Sequence, residues 1–266
     1  MTKLSESGEL ALLAELERRG LIVGTEHDAA QVAGLVVTQD ALVEGVHFRL
    51  DWLSWRELGF RAAAVNVSDL AASGAAPEAL LVTLALPAET ELDDVLVLYE
   101  GIAEAGVPVV GGDTTASPVV TISVTALGRA ERVPGRAGAQ PGDLLVVTGP
   151  LGGAGAAFRE RRYVRPPLRI AEGLELARTA HAMLDVSDGL AVDVAHLARR
   201  SGVRCVVDVD RIPLATGATV ADLGFGEDYE LLAAVPEAGR FAVIGHVVAG
   251  EGVDLPAGLS GWQHFT

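Results

Sequence analysis

The chain has 266 residues, half of them hydrophobic, enough for one large or two moderate domains with a buried core. Twenty basic against 36 acidic residues give a net charge of −16, which excludes nucleic-acid binding by phosphate neutralisation but not an anionic ligand held through a metal ion. Cys205 is the one cysteine and Lys3 the one lysine, which excludes an intrachain disulfide, a multi-thiolate zinc site, a Walker A loop and a Schiff-base lysine in a pocket. The opening MTKLSESGEL has no apolar signal core and no apolar run reaches membrane-spanning length, so a soluble cytoplasmic protein is expected.

In chain order, periodicity predicts an amphipathic helix over 7–19, closed by Gly20, with Leu10, Leu13 and Leu16 on one side. A short β-branched run over 35–37 ends at Asp40, an Ala-rich helix covers 58–72, and a buried strand over 79–86 is closed by Pro87. A helix over 91–105 precedes strands over 107–110 and 119–126. Gly, Arg and Pro concentrate in 128–143, which predicts a domain boundary, set between residues 134 and 135. Beyond it the pattern gives a strand (144–147), a glycine-rich turn (149–155), a helix introduced by Pro166-Pro167, a strand (183–186), a helix (190–200) and strands over 204–209, 229–234 and 241–247. The alternation reads as α/β, with a mixed or antiparallel sheet in the first half.

The chemistry lies in the aspartates. Asp40, Asp113 and Asp185 stand near the ends of strand-like runs, Asp69 and Asp188 in Ser-Asp contexts, and Asp28 in a short polar turn. Each alone reads as a cap or turn residue. Together they predict a carboxylate cluster, and two such charges about 4 Å apart repel by roughly 4 kcal/mol at an effective dielectric of 20. Such a cluster needs cations. All-oxygen ligation without EF-hand spacing favours Mg²⁺ shared with a nucleotide. Gly111-Gly112-Asp113-Thr114-Thr115 fits that chemistry as a strand-to-turn segment that lets backbone approach an anion. The turn at 149–155 lacks the P-loop lysine and reads as structural, which leaves Arg136 to face phosphate. His47, Glu227, Trp262 and Tyr99 each admit a packing or turn role as readily as a ligand-binding one.

Taken together, HDAA (27–30), TQDALVEGVHF (38–48), AVNVSDLAASGA (64–75), GGDTT (111–115), GRAGAQPGD (135–143), DVSDGLAVD (185–193), GEDYELL (226–232) and GWQHF (261–265) resemble, in order, the thiamine-monophosphate kinases. Their larger family includes aminoimidazole ribonucleotide synthetase and selenophosphate synthetase. The resemblance implies a two-domain α/β (α+β) architecture. An N-terminal mixed-sheet domain (1–134) would dimerise and bind ATP and metal, and residues 135–266 would form the C-terminal α/β domain. It implies ATP-dependent phosphorylation of thiamine monophosphate to the diphosphate by a homodimer, with several Mg²⁺ ions near the subunit boundary and no nucleic-acid or membrane partner.

Carried over by position, Asp28, Thr38, Gln39, Asp40, Asp69, Asp113, Asp185 and Asp188 match metal contacts. Tyr99, Gly112, Asp113, Arg136 and Ser187 match nucleotide contacts, and His47, Glu227 and Trp262 match thiamine phosphate contacts. Asp113, Arg136 and Asp188 are the expected catalytic residues. The chain departs from the pattern in three places. Glu26-His27-Asp28 replaces Gly-Asp-Asp, Gln39 replaces Thr so that only its carbonyl suits a metal, and Phe225 replaces the first glycine of Gly-Gly-Glu-Asp. It is also short around 158–165 and between 208 and 225. The competing readings are a sister synthetase, although Cys205 does not match the N-terminal thiol of a selenophosphate synthetase, and a non-catalytic nucleotide- or cation-binding module.

Overall fold

The structure is a computed structural model that describes residues 4–23, 27–255, 259 and 261. After helix α1 (Leu4–Arg18), strands β1 (Ala30–Val32) and β2 (Leu35–Val43) form a tight antiparallel hairpin. Helix α2 (Trp55–Ala72) starts at a capping box between Ser54 and Glu57. Strand β3 (Ala76–Leu86), helix α3 (Leu92–Ala103), and strands β4 (Val109–Ala116) and β5 (Thr121–Arg129) complete a sheet of order β1-β2-β5-β3-β4. Within this sheet, among the described residues, β3 and β4 are the one parallel pair.

Helix α2 is apolar on nearly every side, the signature of a helix enclosed by other elements. Its residues from Leu58 to Ala72 are buried except Asp69, which is half-buried. One flank meets the inward face of the first sheet, where Val36, Leu42, Leu80, Val82, Leu84, Ile122 and Val124 pack. Helix α3 crosses α2 closely: a Cβ at Gly59 would lie 1.9 Å from the Leu98 carbonyl oxygen, and one at Gly101 the same distance from that of Arg56.

The second half contains β6 (Leu144–Val147), α4 (Gly153–Arg159), α5 (Ile170–Leu176), β7 (Ala182–Asp185), α6 (Leu190–Ser201), β8 (Arg204–Val207), β9 (Leu231–Val235), β10 (Ala242–Val248) and β11 (Gly252–Asp254). The strands order as β11-β8-β10-β6-β9-β7. One face of this sheet packs with α6 through Leu184, Leu190, Val194 and Leu197. The other receives the end of α2, whose Ala71 and Ala72 join Leu176, Met183, Leu231 and Ala233. Thus α2 lies against both sheets and carries its polar residues into the space between them.

Two expectations change. β2 continues through Asp40 to Val43, so Asp40 lies within a strand. The Gly111–Thr115 segment lies inside β4, not in a turn after it, because it pairs with β3 from Leu81 to Ala85. Gly112 permits that pairing: at φ 150°, a Cβ there would meet the Val82 carbonyl oxygen at 1.8 Å. Among the described residues, no helix is long and apolar enough to cross a membrane.

Candidate active site

A cleft of about 970 Å³ opens between the two sheets, beside α2. Asp28 precedes β1, Asp40 lies on β2, Asp69 is in the last turn of α2, and Asp185 ends β7. Carboxylate oxygens of Asp28, Asp69 and Asp185 lie within 4.8 Å of one another. Neighbours from other elements fix each group. The Thr38 hydroxyl donates to Asp69 Oδ2 at 2.5 Å, the Ser68 hydroxyl to Asp185 Oδ2 at 2.5 Å, and Arg136 Nε to Asp28 Oδ1 at 2.5 Å. The Asp40 backbone N–H donates to Asn66 Oδ1 at 3.0 Å, while Asn66 Nδ2 donates to the Ala62 carbonyl.

Burial is the main force on these acids. It raises Asp28, Asp40 and Asp69 above the usual carboxylate range, and mutual repulsion adds to the rise at Asp40 and Asp69. Asp185 is pushed up to about 7, first by burial and then by the charge of Asp28. Asp193, in the first turn of α6, is raised well above its ordinary value by burial and by Asp188. It accepts the Gly189 N–H at 3.1 Å and so holds the Ser187-Asp188-Gly189 turn. A set of oxygen donors that cannot ionise together is what a hard divalent cation relieves, so the residues present fit Mg²⁺.

The cleft also collects Thr38, Gln39, His47, Arg136, Ser187, Asp188 and Glu227. Gln39 Nε2 donates to Ser123 Oγ at 3.1 Å, which commits its side chain to the next strand and leaves its carbonyl for any metal contact. The Val43 N–H donates to His47 Nδ1 at 3.0 Å, so the neutral ring carries its proton on Nε2. Glu227 and Tyr229 take left-handed backbone conformations, φ 59° and 52°. They are held by N–H bonds to the Ser187 and Val186 carbonyls. His27 lies over Gly135, where a Cβ would sit 2.0 Å from its Nδ1. That nitrogen is buried without a hydrogen-bond partner among the described residues.

Other expected site residues lie elsewhere. Tyr99 packs on α3 against the first core. Gly112 and Asp113 lie on β4, exposed along its whole length. Three strand spacings separate β4 from β2, about 14 Å, so Asp113 cannot reach its own chain's cluster. Trp262 lies outside the described residues. The glycine-rich turn is occupied from within: the Gly152 and Ala154 N–H groups donate to Asp228 at 2.7 and 3.2 Å.

Three contributors were missed in the sequence: Asn66, Ser68 and Arg61, all on α2 and all buried. Arg61 forms an ion pair with Glu227. Polar residues on an Ala-rich helix that is otherwise buried are the signal that could have found them.

Residues 26–130 match the AIR synthase related protein N-terminal domain, and residues 140–257 the C-terminal domain. The thiamine-monophosphate kinase of Aquifex aeolicus is 32% identical over 306 aligned positions, covering 99% of this chain and all of that protein. That of Mycobacterium tuberculosis is 34% identical over 98% of this chain and 93% of its own length. Among solved structures, AaThiL complexed with AMPPCP and TMP superposes with a TM-score of 0.90 at 30% identity, covering 99% of each chain. The 306 aligned positions exceed the 266 residues here, so the relative has segments that this chain lacks.

Proposed function

From its membership of the AIR synthase related protein family, matched in both halves, we infer that this chain is an ATP-dependent kinase of thiamine monophosphate. The observation that carries the reading is the convergence of Asp28, Asp69 and Asp185 beside Arg136, in a cleft also lined by His47 and Glu227. An oxygen of the substrate phosphate attacks the γ-phosphorus of ATP, and the bond to the bridging oxygen breaks as ADP leaves with its electron pair. With a second pKa near 6, that phosphate is already mostly ionised at pH 7, so no strong general base is needed. Positioning and charge neutralisation are what remain for the protein to supply.

Residues 1–134 are proposed as the ATP- and metal-binding domain and 135–266 as its α/β companion, in a cytoplasmic enzyme. Asp28, Asp40, Asp69, Asp185 and Asp188, with the carbonyls of Thr38 and Gln39, would hold Mg²⁺. When bound, Mg²⁺ cancels charge on the transferring phosphoryl group and the leaving phosphate. Arg136 orients phosphate oxygens by forked donation once Asp28 turns to the metal. Ser187 would donate its hydroxyl hydrogen to a nucleotide oxygen, and His47 Nε2–H and Glu227, which line the same cleft, would position thiamine monophosphate.

The site is completed by a homodimer. The sheet face turned away from α2 carries Val37, Gln39, Ala41, Ser123, Thr125, Leu127, Leu81 and Thr83, and none of these is buried. Leu81 is 39% exposed and Val110, on the adjoining edge, 64%. Apolar exposure on this scale fits a partner sheet. A second copy docked there would bring its Asp113, which pairs with Thr83 of that face, toward the cleft that the first copy leaves without it. The test is incubation with ATP, Mg²⁺ and thiamine monophosphate. Formation of the diphosphate that stops with a chelator is expected, and its absence with intact, folded protein would refute the reading.

A further inference from the structure

One wall of the cleft is aromatic in a way that the phosphoryl-transfer chemistry does not use. Phe158, Tyr163 and Phe225 all line it. Phe158 and Phe225 stack with centroids 4.7 Å apart, tilted by 38°. Trp52 supports them from behind, edge-on to Phe158 at 5.3 Å and 5.9 Å from Tyr163. The chain's own cations already cover part of this cluster: Arg61 lies 5.1 Å over Tyr163, and Arg49 5.2 Å over Trp52. Phe158 stays 41% exposed, a large ring left open at the cleft.

Glu227, which lines the same cleft, is paired with the buried Arg61, whose side chain is 3% exposed. That pair presents no net charge. With Glu227 already neutralised, the π faces of Phe158 and Phe225 are the surface at this end that can still attract a cationic ring. Phe225 has ordinary helical backbone angles, φ −74° and ψ −37°, so strain does not account for its presence.

We propose that Phe158 and Phe225 form a specificity-determining subsite that binds the cationic heteroaromatic end of the substrate by ring stacking and cation–π attraction. The subsite rests on the kinase reading, since thiamine monophosphate carries such a ring, a thiazolium joined to a pyrimidine. Cation–π contacts run from exposed to desolvated strengths, which corresponds to an affinity change between about two- and thirtyfold per ring.

The test replaces each ring with an aliphatic side chain of similar bulk, Phe225→Leu and Phe158→Leu. The KM for thiamine monophosphate is expected to rise by that factor in each variant, with kcat and the KM for ATP within about twofold of wild type. Inhibition by thiazole monophosphate, whose ring is uncharged, should weaken less. Equal weakening of both ligands would reduce the wall to apolar area and overturn the proposal. So would a raised KM for ATP alone, or an unchanged KM with a lowered melting temperature. Binding of thiamine, followed by intrinsic tryptophan fluorescence, separates this proposal from the kinase reading because it needs no turnover. Wild-type protein that binds thiamine in a Phe225-dependent way without phosphorylating the monophosphate keeps the subsite and loses the kinase. Turnover with a KM indifferent to both rings does the reverse.

Discussion

Replacing Asp185 with Asn tests whether the acidic cluster is a cation site in waiting or an ordinary polar interior. Asp185 is 3% exposed, accepts the Ser68 hydroxyl and shares its surroundings with Asp28 and Asp69. Its folded pKa, about 7, lies above the ordinary 3.8. The stability linked to its proton is therefore fully present below pH 3.8 and is lost as the pH rises through 7. At about 1.4 kcal/mol per pH unit, the metal-free protein loses roughly 4 kcal/mol by pH 8, an upper figure because Asp28 and Asp69 share the same repulsion. Asp185→Asn cannot ionise, yet its amide oxygen can still accept from Ser68 and its amide hydrogens can face the neighbouring carboxylates. In EDTA the variant should melt like wild type near pH 4 and well above it at pH 8, by about 8–16 °C for a chain of this size if the full figure is realised. Millimolar Mg²⁺ should raise the wild-type melting temperature and leave the variant nearly unmoved. Scanning calorimetry from pH 4 to 8, with and without Mg²⁺, reads both effects. Parallel curves for the two proteins in EDTA would refute the reasoning.

Asp113→Asn should fold normally and lose product formation by orders of magnitude, because metal-held charge supplies several kcal/mol in such transition states. Mixed and re-equilibrated with Asp185→Asn, it should regain activity, since each mixed dimer then has one site with both carboxylates. No recovery in a mixture shown to exchange subunits would rule out action across the dimer. His47→Asn should raise the KM for thiamine monophosphate and leave that for ATP nearly unchanged, as steady-state kinetics would show. Equal loss for both substrates would reduce His47 to a brace for the Val43 N–H. Arg61→Met leaves Glu227 uncompensated and should cost about 3 kcal/mol in urea unfolding at pH 7, the lower end of the range for breaking a buried pair because Glu227 remains 22% exposed. Adding Glu227→Gln should restore much of that loss, and a double variant no more stable than Arg61→Met would show that the pair is not the reason.

The acidic residues proposed to hold the cation were readable in the sequence. Asp40 and Asp185 stood out near the ends of strand-like runs, Asp69 and Asp188 in Ser-Asp contexts and Asp28 in a polar turn, and a single lysine, Lys3, set aside a Walker A loop and a Schiff base. The α/β alternation was legible as well, since each helix or strand declares its buried face within a few residues. Which groups meet depends on contacts between distant segments. Ser68 and Asp185 are 117 residues apart, and Arg61 and Glu227 are 166 apart, so their contacts depend on α2 lying against both sheets and on no local spacing. Tertiary pairing likewise drew Gly111–Thr115 into an edge strand, because β3 offered backbone partners that a turn would have left to water. It filled the glycine-rich turn with Asp228, whose carboxylate takes the amides that a phosphate would have used. Local sequence sets what a segment can donate, accept or bury. Which partner satisfies it is settled when distant segments compete for the same hydrogen bonds and the same core.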